Sequence, residues 1–253
     1  MAKVKSYLRL QGSMGETTFL KNGNGKGYRS QDKLVVSPQR FKTDPAFARA
    51  RENATQFTRG GKGAKLIRVS VSQLLLGVKD KTLKTRLFAK VMEVIKSDVT
   101  SPRGSKNIVD GNITLLNGFL FNSAAPLTNV FPKGLVANIH RQTGQLTVDV
   151  PAFVPKNELK APLSATHFEI ISAGSELQFE QDVFKTDIQK SALLPYSEAA
   201  TAALTLTHSV TVNSTLPLFL SVAIKFYQLT GGISYPLLNA DTNVAMILAA
   251  STA

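Results

Sequence analysis

From Gly118 onward the apolar residues recur at every second position, a period that suits a strand and not a helix. In "GLVANIH" Leu135, Ala137 and Ile139 alternate with Val136, Asn138 and His140. After a turn at Gly144, Leu146, Val148 and Val150 alternate with Thr147 and Asp149. "LTLTHSVTV" sets Leu204, Leu206, His208, Val210 and Val212 on one face, and "LFLSVAIKF" groups Leu218, Leu220, Val222, Ile224 and Phe226. Gly231 and Gly232 turn the chain into "ISYPLL", and "NVAMILA" follows. About seven or eight such strands with turn signals between them predict an antiparallel β-sandwich of immunoglobulin-like size over residues 118–253. The chain has no Cys and no Trp, so the cysteine–tryptophan mark of true immunoglobulin domains is missing.

The first part of the chain has a different rhythm. Thr17, Thr18 and Phe19 favour a strand, and "NGNGKG" supplies the positive-φ residues of a tight reversal, so residues 6–36, with Tyr7, Leu8 and Leu10 leading in, predict a β-hairpin or small meander. That Gly-x-Gly-x-Gly lacks the helix a dinucleotide loop needs. Asp44-Pro45 is a helix start. Phe47, Ala50, Ala54, Phe57, Gly61 and Ala64 then share a face, flanked by Arg51, Thr55, Arg59 and Lys62. Either the helix breaks at Gly60, Gly61 and Gly63, or these small residues admit a close neighbour. "AKLIRVSVSQLLLGV" reads as helix, with strand as the alternative. Asp80 caps a further helix whose stripe is Leu83, Leu87, Phe88, Val91, Met92 and Ile95, ending at Ser101-Pro102. "RGSKNIVDGNITLL" is ambiguous, with a short helix as one reading. The expected fold class is α+β: an N-terminal hairpin with two or three helices over 1–107, then the sandwich over 118–253.

Charge follows the same division. Residues 1–107 hold 23 Lys and Arg against 7 Asp and Glu, a balance of +16, whereas residues 108–253 hold 7 against 10, a balance of −3. Basic side chains at Arg40, Lys42, Arg49, Arg51, Arg59, Lys62, Lys65 and Arg68 can neutralise phosphates without reading sequence, or meet acids of another subunit. Phe41, Phe47 and Phe57 fall at helical spacing, which argues for core and against base-stacking platforms.

Several chemistries find no support. Without cysteine there is no disulfide, thiolate metal site or thiol nucleophile. "GGKGAK" follows a helix and lacks the Lys-Ser/Thr of a Walker loop. "QGSMGE" is not a nucleophile elbow. His140, His167 and His208 are far apart, and His208 is expected to be buried and hydrogen-bonded. Glu169, Glu176, Glu180, Asp182 and Asp187 crowd one region, which reads as a solvated acidic edge rather than a glycosidase pair. Asn53, Asn112 and Asn213 match the glycosylation pattern by coincidence, in a chain whose first residues lack the apolar core of a signal peptide. "LPLFLSVAI" is too short to span a bilayer. No cofactor is expected. The chain is expected to be made in the cytoplasm, with release or incorporation into a particle after assembly left open.

"KVKSYLRLQGSMGETTFLK", "FKTDPAFARARENATQFTRGGKGAKLIR", "THFEIISAGSELQFE" and "STLPLFLSVAIKFYQ" resemble an uncharacterised family of Bacteroidota proteins over nearly the whole chain. The resemblance implies a bacterial origin and a two-part layout, and brings no activity, cofactor or catalytic residue. The expected role is a non-enzymatic structural subunit that self-assembles as filament, tube or virion-like particle. In it Arg49, Arg51, Arg59, Lys62, Lys65 and Arg68 of one copy face Glu176, Glu180 and Asp182 of the next. A sequence-nonspecific nucleic-acid-binding protein is the alternative, and a surface adhesion module using the sandwich loops comes third.

Overall fold

The computed structural model describes residues 3–4, 11–21, 28–32, 36–78, 80–123, 131–238 and 242–253. Helix makes up 25% and strand 35% of the described residues. The chain divides into two compact units, Met1–Arg51 and Glu52–Ala253.

In the first unit β1 (Lys3–Val4), β2 (Gly12–Met14), β3 (Thr17–Lys21) and β4 (Tyr28–Asp32) form an antiparallel sheet in the order β1-β4-β3-β2. β3 and β4 pair from Thr17–Asp32 to Lys21–Tyr28, the hairpin expected from the sequence. The reversal read in "NGNGKG", and Tyr7, Leu8 and Leu10, lie outside the described residues. Gly15 adopts φ 55° in the β2–β3 turn, a conformation that favours glycine. Ser37 then caps α1 (Pro38–Thr43), its hydroxyl accepting from the Arg40 amide at 3.1 Å. The Asp44 carboxylate accepts from the Ala46 amide at 2.9 Å and opens a 3-10 turn, Pro45–Phe47, that runs straight into α2 (Ala48–Ser70). The predicted start is therefore in place, with a tighter first turn.

α2 is unbroken through its glycines. Its buried residues are Gly60, Gly63, Ala64, Leu66, Ile67 and Ser70; of the predicted row only Ala64 is buried, whereas Gly61 is exposed and Phe57 is 57% exposed. The small residues decide this. A Cβ on Gly60 would stand 2.5 Å from the Met92 sulfur, and one on Gly63 would stand 2.1 Å from Ile108 Cδ1. The helix axis thus comes closer to its neighbours than a face carrying Phe57 would allow. α3 (Leu83–Ser97) buries Leu83, Leu87, Val91, Met92, Val94 and Ile95, nearly the stripe read from the sequence. It ends at Ser97 with Asp98 as its C-cap, earlier than Ser101-Pro102. Asp80 does not cap it directly: its carboxylate takes the Thr82 amide and hydroxyl at 2.6 and 2.7 Å, bracing the residue before the first turn.

The strands of the second unit are all antiparallel. β5 (Val136–His140), β6 (Gln145–Val150) and β10 (Leu204–Ser209) make a three-stranded sheet, order β10-β6-β5, that curls as a half-barrel. β7 (His167–Gln178), β8 (Val183–Lys190), β9 (Leu194–Pro195), β11 (Leu218–Thr230), β12 (Ile233–Pro236) and β13 (Val244–Ser251) make the larger sheet. In it β7 and β11 pair centrally, β8 and β9 flank β7, and β12 and β13 flank β11.

Both faces of the large sheet are covered. Leu218, Leu220, Val222, Ile224 and Phe226 of β11 pack with Leu146, Val148, Val150 and Leu206 of the small sheet. On the other face Ile171, Ala173, Leu177, Phe219, Ala223 and Ile247 pack with Leu66, Ile67, Leu87, Val91 and Ile95 of the helices. Helices and strands thus share one core. The compact boundary accordingly falls between Arg51 and Glu52, whereas charge and period suggested one near residues 107–118.

Candidate basic interface

The sequence-derived contact residues fall in four places. Arg49 and Arg51 belong to the first unit, where Arg49 is exposed and the Arg51 guanidinium donates to the carbonyls of Phe41 and Asp44 at 2.7 and 2.9 Å. Arg51 thereby ties α1 to α2.

Lys62 meets an acid of the β7–β8 turn inside one chain, with Arg59 beside it. Lys62 Nζ lies 3.5 Å from Asp182 Oδ2. Arg59 donates to the carbonyls of Gly104 and Lys106 at 3.3 and 3.2 Å. Arg59, Lys62, Glu180, Phe179 and Asn107 line a common cleft of about 370 Å³. The pairing expected between copies is therefore made within the molecule for Lys62 and Asp182. Such an exposed pair adds no more than about 1 kcal/mol, so its value here is to seat the turn rather than to stabilise the fold.

Glu176 is a further departure. It is not on a solvated edge but buried on β7, 6% exposed. Its carboxylate accepts from the Thr211 hydroxyl at 2.7 Å and from the Ser214 hydroxyl. Burial works against its charge, and these donors, with Lys185 nearby, outweigh burial and hold its pKa below the ordinary value. Beside it Arg141 donates to the carbonyls of Ser214, Leu216 and Ser251 at 2.8, 2.9 and 2.6 Å. Glu176 and Arg141 tie the 211–216 loop to the end of the sheet. Glu176, Lys185, Thr211 and Ser214 also line an open cleft of about 440 Å³. Two more of these acids are engaged: Glu169 accepts from the Tyr227 phenol at 3.0 Å, and Asp187 accepts from the Ser209 amide at 2.8 Å; Glu180 and Asp182 are exposed, as a solvated edge requires. The Tyr227 phenol is pushed up to about 12 by burial and by the negative charge of Glu169.

Lys65 and Arg68 lie on the other flank of α2. With Lys84, Gly61, Ala64, Leu87 and Phe88 they line a groove of about 190 Å³ between α2 and α3. No acid lines this groove. Lys84 is not among the residues singled out from the sequence, because only the packing of α3 against α2 sets it beside Lys65 and Arg68.

His208 is buried and hydrogen-bonded, as its strand position predicts. Its Nδ1 lies 3.0 Å from the Asp187 carbonyl, which only accepts, so Nδ1 carries the proton. Nε2 then accepts from the Ser172 hydroxyl at 2.7 Å. A serine held on a histidine is the geometry of an activated nucleophile, yet both residues are 0% exposed. The pair cross-links the two sheets instead. Gly174 lets them close there, because a Cβ on it would fall 2.6 Å from His208 Cβ.

Among the described residues no group of three or more His, Asp or Glu could hold a metal ion, and no helix is long and apolar enough to cross a membrane. No protein-family model, curated protein or solved structure matches the chain.

Proposed function

We propose that the chain is a non-enzymatic structural subunit that assembles with copies of itself into a filament, tube or virion-like particle. One observation carries this reading: the first unit has a four-stranded sheet and a helix, yet none of residues 11–21, 28–32 and 36–51 is buried. Phe19, Leu20, Phe41 and Phe47 are all half-exposed. A sheet of this size gains stability only by covering an apolar face, and so small a unit depends on a partner for its core. Another copy is the partner best matched in charge. Residues 1–51 carry 11 Lys and Arg against 3 Asp and Glu, while residues 108–253 carry 10 acids against 7 bases. Contact between unlike surfaces of successive copies closes a ring or grows without limit. In this reading the two packed sheets of the second unit serve as a sandwich-like body of immunoglobulin-like size.

The specific pairing of Lys62 with Asp182 belongs to the single chain, so assembly rests on the apolar face of the first unit and on its net charge. Sedimentation velocity and negative-stain electron microscopy over a wide concentration range test it. Regular oligomers or polymers are expected for the native sequence, and Phe19→Asp is expected to return the chain to monomer with the second unit still folded. A native chain that stays monomeric throughout would refute the reading.

A further inference from the structure

We infer that the groove between α2 and α3 is a binding site for single-stranded nucleic acid. The cations around it are not spent on the fold. Around them Lys62 pairs with Asp182, Arg59 with two carbonyls, Arg86 with Asp80 at 2.7 Å and Lys90 with Glu93 at 2.7 Å. Among the described residues the charges of Lys65, Arg68 and Lys84 have no such partner. Lys84 also stands in the first turn of α3, which holds no acidic residue, at the helix end where positive charge is disfavoured. Three cations thus line one groove with no acid among its lining residues, and an anion laid along it meets all three.

The aromatic residues select which anion. Phe57 is 57% exposed on α2, and its ring centroid lies 5.6 Å from that of Phe88, which lines the groove. A strand whose phosphates follow Lys65, Arg68 and Lys84 can set a base on Phe57. Cations along a groove with an exposed ring at its side are what unpaired nucleotides use. A duplex keeps its bases stacked inward, and polyglutamate has no ring to stack. The site does not depend on the assembly proposed above, and it lies in the second unit.

Fluorescence anisotropy of a labelled oligothymidine tests this on the full chain, with a duplex of equal length and polyglutamate as competitors. Three phosphate contacts predict that affinity falls about 20-fold between about 50 and about 200 mM salt. The triple variant Lys65→Glu, Arg68→Glu, Lys84→Glu should lose binding. The control Lys133→Glu, Lys160→Glu, Lys190→Glu, equal in net charge, should keep most of it. Phe57→Ala should weaken the single strand about tenfold and leave the duplex unchanged. Circular dichroism checks the fold of each variant, and should the Glu triple fail to fold, the corresponding Gln triple takes its place and should flatten the salt dependence. Equal loss in the control, no effect of Phe57→Ala, stronger competition by polyglutamate than by oligothymidine, or no binding by the native chain would each overturn the proposal.

Discussion

At the scale of single residues, His208 shows how a side chain that invites a catalytic reading becomes structural. Its ring spans the two sheets between the Ser172 hydroxyl and the Asp187 carbonyl, and both of its nitrogens are satisfied. Burial lowers its pKa, with the charge of Asp187 and the bond to its carbonyl pulling the other way. A histidine lowered on folding stays neutral in the native state while the unfolded chain takes up a proton near its usual value. Its contribution to stability is therefore present above about pH 6.5 and is lost as pH falls. Urea titrations between about pH 7.5 and about pH 5.5 should show declining stability, with a slope of at most about 1.4 kcal/mol per unit. His208→Gln should flatten that slope, and an unchanged slope would mean the histidine is not the group responsible. Asp80 and Asp98 act at lower pH. Burial opposes the charge of Asp80, but the amide of Ser123 with Thr82 and Arg86 outweighs it. The amide of Ser101 is the largest influence on Asp98. Both carboxyls lie far below the ordinary range, so their support persists down to about pH 4 and fades below it.

At the scale of elements, α2 is a helix whose glycines are not alike. Gly60 and Gly63 sit where the helix meets Met92 and Ile108, whereas a Cβ on Gly61 would meet nothing within 4 Å. Gly61→Ala replaces a poor helix former at an open site and should stabilise the protein by about 1 kcal/mol, roughly 2–4 °C in Tm. Gly63→Leu must displace Ile108 and should cost about 1–3 kcal/mol or more. Thermal melts of the two variants should thus shift in opposite directions; a shared sign would show that close approach is not what the glycines serve. β7 and β11 make the complementary point among the strands. Eight consecutive residues of β7, Ile170–Leu177, are buried, because helices cover one face of the sheet and a second sheet covers the other. A strand covered on both faces loses the polar alternation by which strands are recognised.

At the scale of the molecule, the two units differ in how they are held. The second has a core that runs from α2 and α3 through the large sheet, and a second core between the sheets. The first has none of its own among its described residues. Hydrogen exchange followed by mass spectrometry should therefore divide the chain near residue 51. Amides of β7 and β11 should exchange only through global unfolding, and those of β3 and β4 on a far shorter timescale in dilute solution. Raising the concentration should slow exchange in β3 and β4 if another copy supplies the missing cover. Fast exchange there at every concentration would remove the ground for assembly.

Local order was legible in the residues themselves. The front hairpin, the start at Asp44-Pro45, the α3 stripe, the strands β5, β6, β10 and β11 and the burial of His208 all depend on contacts close in sequence or on a period that one element imposes. Long-range packing decided the rest: which face of α2 turns inward, that β7 is covered on both sides, that Glu176 is buried, and that Lys62 meets Asp182 across 120 positions of chain. The groove that gathers Lys65, Arg68 and Lys84 exists only because two glycines let α2 settle against its neighbours. Period and capping act over a few residues, whereas burial and charge pairing depend on what the whole chain brings to the same place, and no short stretch carries that information.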